Sequence, residues 1–280
     1  MGMLLGIAGE QNTGKSHSRT TMRNGEECFI IMPSPKAAYL TKKDGKNIEP
    51  LRINKPGLTM SESLRLWNGT ELIKIIDKMV AYRSSPPNME VSGNYYIVND
   101  IVEAEVIVKF VSEFMPHIKV VIFPDFTHFV TDKLTSPLFR NRNTGNDAYG
   151  RYVDLAADTF NAFFKSAKQT RDDLVQVIEF HVEFNEIAKS YKIFTPGGKM
   201  LSEKFKPESY FDVFLYSHYI DEDTSPNMDF KDRFRFITRK WKHFDARCMG
   251  GMFDTTTELM IPNDLQLVID RLRKYQGIAA

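Results

Sequence analysis

Short unbroken apolar runs alternate along this chain with stretches whose apolar residues recur every three or four positions. The runs at Met3–Ala8, Glu27–Met32, Tyr95–Val98, Lys119–Phe123, Leu174–Phe180, Val213–Tyr216 and Phe234–Ile237 have the length and the bounding residues of buried strands. Between them, helical spacing puts Leu72, Ile73, Ile76, Met79 and Val80 on one face, and then Ile101, Ala104, Ile107, Val108, Val111 and Phe114 on another. Val153, Ala156, Phe160, Phe163 and Phe164 form a third such face, and Leu265, Val268, Ile269 and Leu272 a fourth. Strands alternating with helices predict an α/β fold built on parallel pairing. Ser61 or Ser63 is suited to cap a short helix, and Asn263, with Gln266 three residues on, to cap the last one. Thr41–Leu58 reads as an exposed loop or hairpin and Thr131–Gly150 as a long loop. Pro196-Gly197-Gly198 reads as the turn of a hairpin between Tyr191–Phe194 and Met200-Leu201. With no internal repeat and no break in composition, residues 1–280 are expected to form one domain.

The first strand runs directly into Gly9-Glu10-Gln11-Asn12-Thr13-Gly14-Lys15-Ser16, which fits the pattern Gly-x-x-x-x-Gly-Lys-Ser/Thr at every fixed position. Residues His17–Arg23 can begin a helix. A strand, a glycine loop and a helix N-terminus in this order aim successive backbone N–H groups at one point, which is a phosphate site. The candidate phosphate-binding residues are Gly9, Gln11, Asn12, Thr13, Gly14, Lys15, Ser16 and His17. Lys15 would reach the β- and γ-phosphates, and the Ser16 hydroxyl would ligate Mg²⁺. A second signal is the run Val120-Val121-Ile122-Phe123 leading through Pro124 to Asp125, a carboxylate at the end of an apolar strand. Beside a phosphate loop such an acid holds Mg²⁺.

Composition narrows the partners. The formal charge of +1 gives no global attraction for polyanions, so contact with nucleic acid has to come from local basic patches. No apolar run approaches the roughly 20 residues of a membrane helix, the first strand begins almost at Met1, and the two cysteines form no spaced metal motif. The expectation is a cytoplasmic protein without membrane contact.

The order of the phosphate loop, the strand ending at Asp125, the strand leading to His181, the Pro196-Gly197-Gly198 hairpin and the Ile261-Pro262-Asn263-Asp264 tail resembles phage-encoded RecA-like P-loop ATPases. These include the Sak-type proteins of single-strand annealing and recombination. The likeness spans nearly the whole chain, although only the phosphate loop is specific by itself. It implies a RecA-like fold: a mainly parallel central sheet with helices on both faces and a C-terminal β-hairpin region. It also implies ATP with Mg²⁺, a ring or filament with nucleotide at the subunit interface, single-stranded DNA as partner, and the host cytoplasm as location. Position by position, Gly9, Gly14, Lys15 and Ser16 match the phosphate loop and Asp125 the Mg²⁺ acid, while His181 falls where the family often senses the γ-phosphate. The water-orienting glutamate expected after the second strand is missing, because that strand ends Met32-Pro33-Ser34-Pro35. Glu183 and Asp100 are the candidate substitutes.

Under this reading the DNA-facing cations are Arg140, Arg142, Lys192 and Lys199, with Phe139, Tyr149, Tyr191 and Phe194 available for base stacking. Arg239 and Lys240, with Lys242 and Arg247 nearby, suit a cation reaching a neighbouring subunit's γ-phosphate. A small-molecule or nucleoside kinase with an Arg140/Arg142 lid, and a nucleotide-gated assembly protein with little turnover, share the same phosphate loop.

Overall fold

A strand that is apolar at every position has to be covered on both faces, and the first strand, β1 (Met3–Gly9), is buried throughout. Leu4 and Ala8 point into one core and Met3, Leu5 and Ile7 into another, so this one strand separates two hydrophobic layers. The computed structural model describes residues 1–34, 40–54, 70–84, 90–129, 148–194 and 207–278. The expected caps at Ser61 or Ser63, the Pro196-Gly197-Gly198 turn, Phe139, Arg140, Arg142 and Lys199 lie outside the described residues.

The remaining elements follow in order: α1 (Lys15–Ser18), β2 (Cys28–Met32), β3 (Arg52–Asn54), α2 (Thr70–Tyr82), β4 (Glu90–Ser92), β5 (Tyr95–Ile97), α3 (Ile101–Phe114) and β6 (Val120–Phe123). After these come α4 (Ala148–Lys168), β7 (Val175–Asn185), β8 (Ser190–Ile193), β9 (Val213–Tyr219), β10 (Phe234–Ile237), β11 (Met260–Pro262) and α5 (Leu265–Tyr275). The main sheet has the order β11-β10-β9-β1-β7-β6-β2-β5, with β8 paired to β7. The pairs from β9 through β1, β7, β6 and β2 to β5 are parallel, whereas β8, β10 and β11 join antiparallel. The α/β class, the mainly parallel sheet and the antiparallel C-terminal strands are therefore as the sequence predicts. Helices α2, α3 and α4 cover one face through Ile76, Ile107, Phe110 and Phe163, and α5 covers the other through Leu265, Val268, Ile269 and Leu272.

Three local expectations are corrected. The helix after the phosphate loop is only four residues long before it tightens into a 3₁₀ turn at Arg19–Thr21. The hydroxyls of Ser18, Thr20 and Thr21 donate to the carbonyls of Lys15, His17 and Ser18 at 2.7, 2.8 and 2.6 Å, competing with the helical ladder. The hairpin after β7 turns at residues 186–189, without glycine or proline. Asn185 Oδ1 accepts from the N–H groups of Ile187 and Ala188 at 3.0 and 2.8 Å, and Lys189 takes the left-handed conformation. Finally, α5 is capped by Asp264, whose Oδ1 accepts from Leu267 N at 2.9 Å, rather than by Asn263. Asn263 is buried and donates to the Ser217 hydroxyl at 3.1 Å.

Asp100, considered above as a water-orienting carboxylate, caps α3: its Oδ1 accepts from Val102 N and Glu103 N at 2.8 and 2.9 Å. Asp100→Ala is expected to lower unfolding free energy by about 1 kcal/mol. Denaturant unfolding should show a lower midpoint with an unchanged m-value. A stability change below about 0.3 kcal/mol would remove the capping role.

Candidate functional site

Parallel register brings the conspicuous side chains to one edge of the sheet. Within β1 and β7, Ile7 lies beside Glu179 and Gly9 beside His181. Phe123, the last residue of β6, lies beside Ile178, so Asp125, two residues on, reaches the level of Phe180 and His181. One strand, β7, thus separates the phosphate-loop strand from the Asp125 strand and contributes its own residues between them. Crevices at the carboxyl ends of parallel strands are where open α/β sheets bind ligands.

The loop itself is tightly specified. Gly14 has φ +99°, and a Cβ there would stand 2.6 Å from the Phe234 ring. A Cβ on Gly9 would meet Thr13 Oγ1 at 2.6 Å and Ser217 O at 2.9 Å. Asn12 also takes a positive φ of 62°, a conformation Asn tolerates better than most residues. Ser217 Oγ donates to Thr13 O at 2.6 Å and ties the loop to β9. Gln11, Asn12 and His17 are exposed and Thr13, Gly14 and Ser16 half-buried. His17 packs on Phe234 with ring centroids 5.2 Å apart.

Lys15 is only 6% exposed, and its Nζ donates to Gly9 O and Glu10 O, both at 2.6 Å. Burial lowers its pKa to about 8, against the opposing pull of Glu179, Asp125 and Glu10. Glu179 is 1% exposed and pairs with the equally buried Arg19, Nε to Oε1 at 3.1 Å. Burial raises the Glu179 pKa; Arg19 opposes the rise, and the nearby Asp125 adds to it.

Asp125 takes a left-handed φ of 54° just before a helical turn at 126–129. Phe126 anchors that turn, packing on Phe163 at 5.0 Å and Phe180 at 5.5 Å between ring centroids. Asp125 Oδ1 lies 2.9 Å from His181 Nε2. A cavity of about 730 Å³ opens beside them, lined by Glu10, Gln11, Thr127, His128, His181, Val182 and Phe194. Tyr191 donates its hydroxyl to Glu10 Oε2 at 3.1 Å and so fixes one wall.

Lys15, Asp125 and His181 are therefore brought together, with Ser16 next to Lys15 on α1. Glu183 is exposed, opposite Lys192 in the β7–β8 ribbon and outside the cavity lining. Lys192 and Lys240 converge on Asp245 at 2.8 and 3.7 Å. β10 leaves from the phosphate-loop edge and runs away from it, so Arg239 and Lys240 are not at the chain's own loop. Arg247 is tied to β9 by backbone pairing with Phe214 and donates to Phe211 O at 2.7 Å. Sequence reasoning passed over Glu10, His128 and Glu179. The signals were present: His128 is three residues after Asp125, and Glu179 two before His181 on the same strand face.

No family model matches the chain, and no curated protein does. Among solved structures it is similar to a separately solved ATPase domain, at 10% identity and a TM-score of 0.39, over 87% of this chain and 78% of that one. It is also similar to a DnaB-like replicative helicase described with its primase interactions. That match has 9% identity and a TM-score of 0.37, over 87% of this chain and 54% of that one. The chain thus spans about half the length of the second structure.

The buried ammonium has a consequence for stability. Lys15 gives up its proton near pH 8 in the folded chain, against an ordinary value of 10.5. The unfolded state therefore binds more protons across that window, and stability rises with pH there. Relative to Lys15→Met, the native chain is expected to gain up to about 3 kcal/mol between pH 8 and 10.5. Parallel denaturant curves for the two proteins measure this, and a constant difference across the window would exclude a buried ammonium.

Proposed function

We propose that this protein is a RecA-like P-loop ATPase, one domain over residues 1–280, that acts on single-stranded DNA in phage recombination, replication or repair. The observation that carries the reading is the Gly9–Ser16 loop, with Lys15 held between the carboxyl edge of β1 and the acids Glu179 and Asp125. A buried cation on a left-handed glycine loop is built to meet phosphate. The first helical turn leaves its N–H groups without intrahelical partners and offers them to the same point. The structural neighbours are named as ATPase and helicase structures, but their TM-scores lie below 0.5 and the reading rests on the loop.

ATP would occupy the cavity beside Gln11 and His181, with Lys15 on its terminal phosphates. The Ser16 hydroxyl and the Asp125 carboxylate are hard oxygen donors, and together they fit Mg²⁺. Bound there, the ion would neutralise phosphate charge. His181, hydrogen-bonded to Asp125, stands where it can register the terminal phosphate. β2 ends without an acid, so water orientation falls to a carboxylate at this edge, Glu183 or the cavity-lining Glu10. Arg239 and Lys240, away from their own loop, suit a cation serving the next subunit of a ring or filament. For DNA, Phe184 and Phe194 are exposed on or just beyond the β7–β8 ribbon and Ile187 on its turn, beside Lys189 and Lys192. Such a ribbon suits base stacking next to a phosphate track formed with Arg140, Arg142 and Lys199.

The test is ATP binding and turnover, with and without single-stranded DNA, for the native chain and Lys15→Ala. Lys15→Ala should lose both binding and turnover while keeping its thermal transition. Native turnover in that variant would sink the nucleotide site. Tight binding without turnover would favour a nucleotide-gated assembly protein, and phosphate transfer to an added nucleoside would favour a kinase.

Replacing Arg140 and Arg142 together by alanine should weaken single-strand binding and flatten its log–log salt slope by about 0.7 for each lost phosphate contact. An unchanged slope would assign the DNA path to the β7–β8 ribbon alone.

A further inference from the structure

Asp125, His128 and His181 come together from two elements. His128 lies on the helical turn that starts just after Asp125, and its N–H donates to Asp125 O at 2.9 Å. His181 arrives from β7. One ligand atom from each side chain lies within 4.8 Å of those of the other two. The Asp125 Oδ1 to His181 Nε2 separation is 2.9 Å, and the two imidazoles meet nearly edge to face, with centroids 6.3 Å apart and planes at 82°.

From this donor set we propose that Asp125, His128 and His181 form a binding site for a divalent first-row transition ion of the Zn²⁺ or Co²⁺ type. Two imidazoles and one carboxylate are borderline donors, which suit Zn²⁺, Co²⁺ and Ni²⁺, whereas Mg²⁺ demands oxygen ligands in near-ideal octahedral geometry. Donors about 2.0–2.1 Å from a tetrahedral ion stand about 3.3 Å apart. The Asp125–His181 edge is already that short. The spans to His128 have to shorten by at most about 1.5 Å to reach the same geometry. His128 is exposed, so its ring can turn inward without disturbing a packed core. Three protein ligands leave a coordination position open, and both histidines line the cavity shared with Glu10 and Gln11 of the phosphate loop. The open position therefore faces the space assigned above to nucleotide. In that respect the inference deepens the proposed function, since it places beside the phosphates an ion held by nitrogen as well as oxygen. Binding of the ion itself needs no nucleotide.

The experiment is a Co²⁺ titration of the untagged chain, residues 1–280, without nucleotide. It is followed by visible absorption, with Zn²⁺ added afterwards as competitor. Expected is a d–d band of tetrahedral or five-coordinate intensity that saturates at one ion per chain and is bleached by Zn²⁺. His128→Ala and His181→Ala should each weaken Co²⁺ binding by at least about tenfold, the loss seen even for groups that only support a ligand. His117→Ala, an exposed histidine remote from the cluster, should leave the titration unchanged. Lys15→Ala should also retain the Co²⁺ band, which separates this test from the nucleotide reading. Loss of ATP binding alone leaves the ion site standing, and loss of the ion site alone leaves ATP binding with Mg²⁺ standing. No saturating band, or equal affinity in His128→Ala, His181→Ala and the native chain, would reduce the cluster to a hydrogen-bonded Asp–His pair and overturn the proposal.

Discussion

Keeping one ammonium group inside the protein organises this edge of the sheet. Lys15 has lost nearly all contact with solvent, and a buried cation persists only where carbonyls and carboxylates replace water. The carbonyls of Gly9 and Glu10 do so at 2.6 Å, which requires the loop to coil back over the side chain. That path requires the left-handed turn at Gly14 and leaves no room for a Cβ there or at Gly9. The carboxylates come from other strands. Glu179 is itself buried and would be a second uncompensated charge without Arg19, which the short α1 and its 3₁₀ extension deliver. Lysine, glutamate and arginine thus depend on one another in sequence, and together they fix α1 against β7.

The same compensation explains why β7 lies between β1 and β6. Were Asp125 on a strand directly beside the loop, there would be no place for Glu179 and His181 between them. With β7 inserted, the edge carries in succession the loop, a buried acid with a polar imidazole, and the Asp125 turn. The turn is held from beneath. Phe126 sits among Phe123, Phe129, Phe160, Phe163, Phe164 and Phe180, so the backbone that bears Asp125 is bolted to the larger core. Aromatic packing on one face of the sheet therefore sets the geometry of charged groups at its edge.

The strands and helices were legible wherever periodicity alone decides them. β2, β6, β10, α3 and α5 lie within a residue or two of the apolar patterns that predict them, because each buries a complete face or both. Legibility failed where a side-chain hydrogen bond outweighed the pattern. Hydroxyls at Ser18, Thr20 and Thr21 shortened a helix, Asn185 made a turn that has no glycine, and Asp264 displaced Asn263 as cap. In the site, Lys15 and Asp125 could be read from local context, since a loop after a strand and an acid after a strand are each contiguous in sequence. Glu179 could not, because its pairing with Arg19 depends on which strand neighbours β1, and register is a property of the assembled sheet.

Charge at the assembled edge also constrains what can enter. Glu179 is matched by Arg19, which leaves Lys15 facing both Asp125 and Glu10. A bare polyphosphate would thus meet a site whose nearest charges sum to a negative value, and its entry would be opposed at short range where screening is weak. Backbone N–H groups of the loop offset part of this, but α1 is only four residues long and adds little dipole of its own. The site becomes attractive to an anion only when a divalent ion neutralises Asp125, or when the anion brings that ion with it. On this reasoning the acids at the loop edge are not incidental to phosphate recognition. They make metal and phosphate enter together, and they turn an anion site into one selective for the metal-bound form.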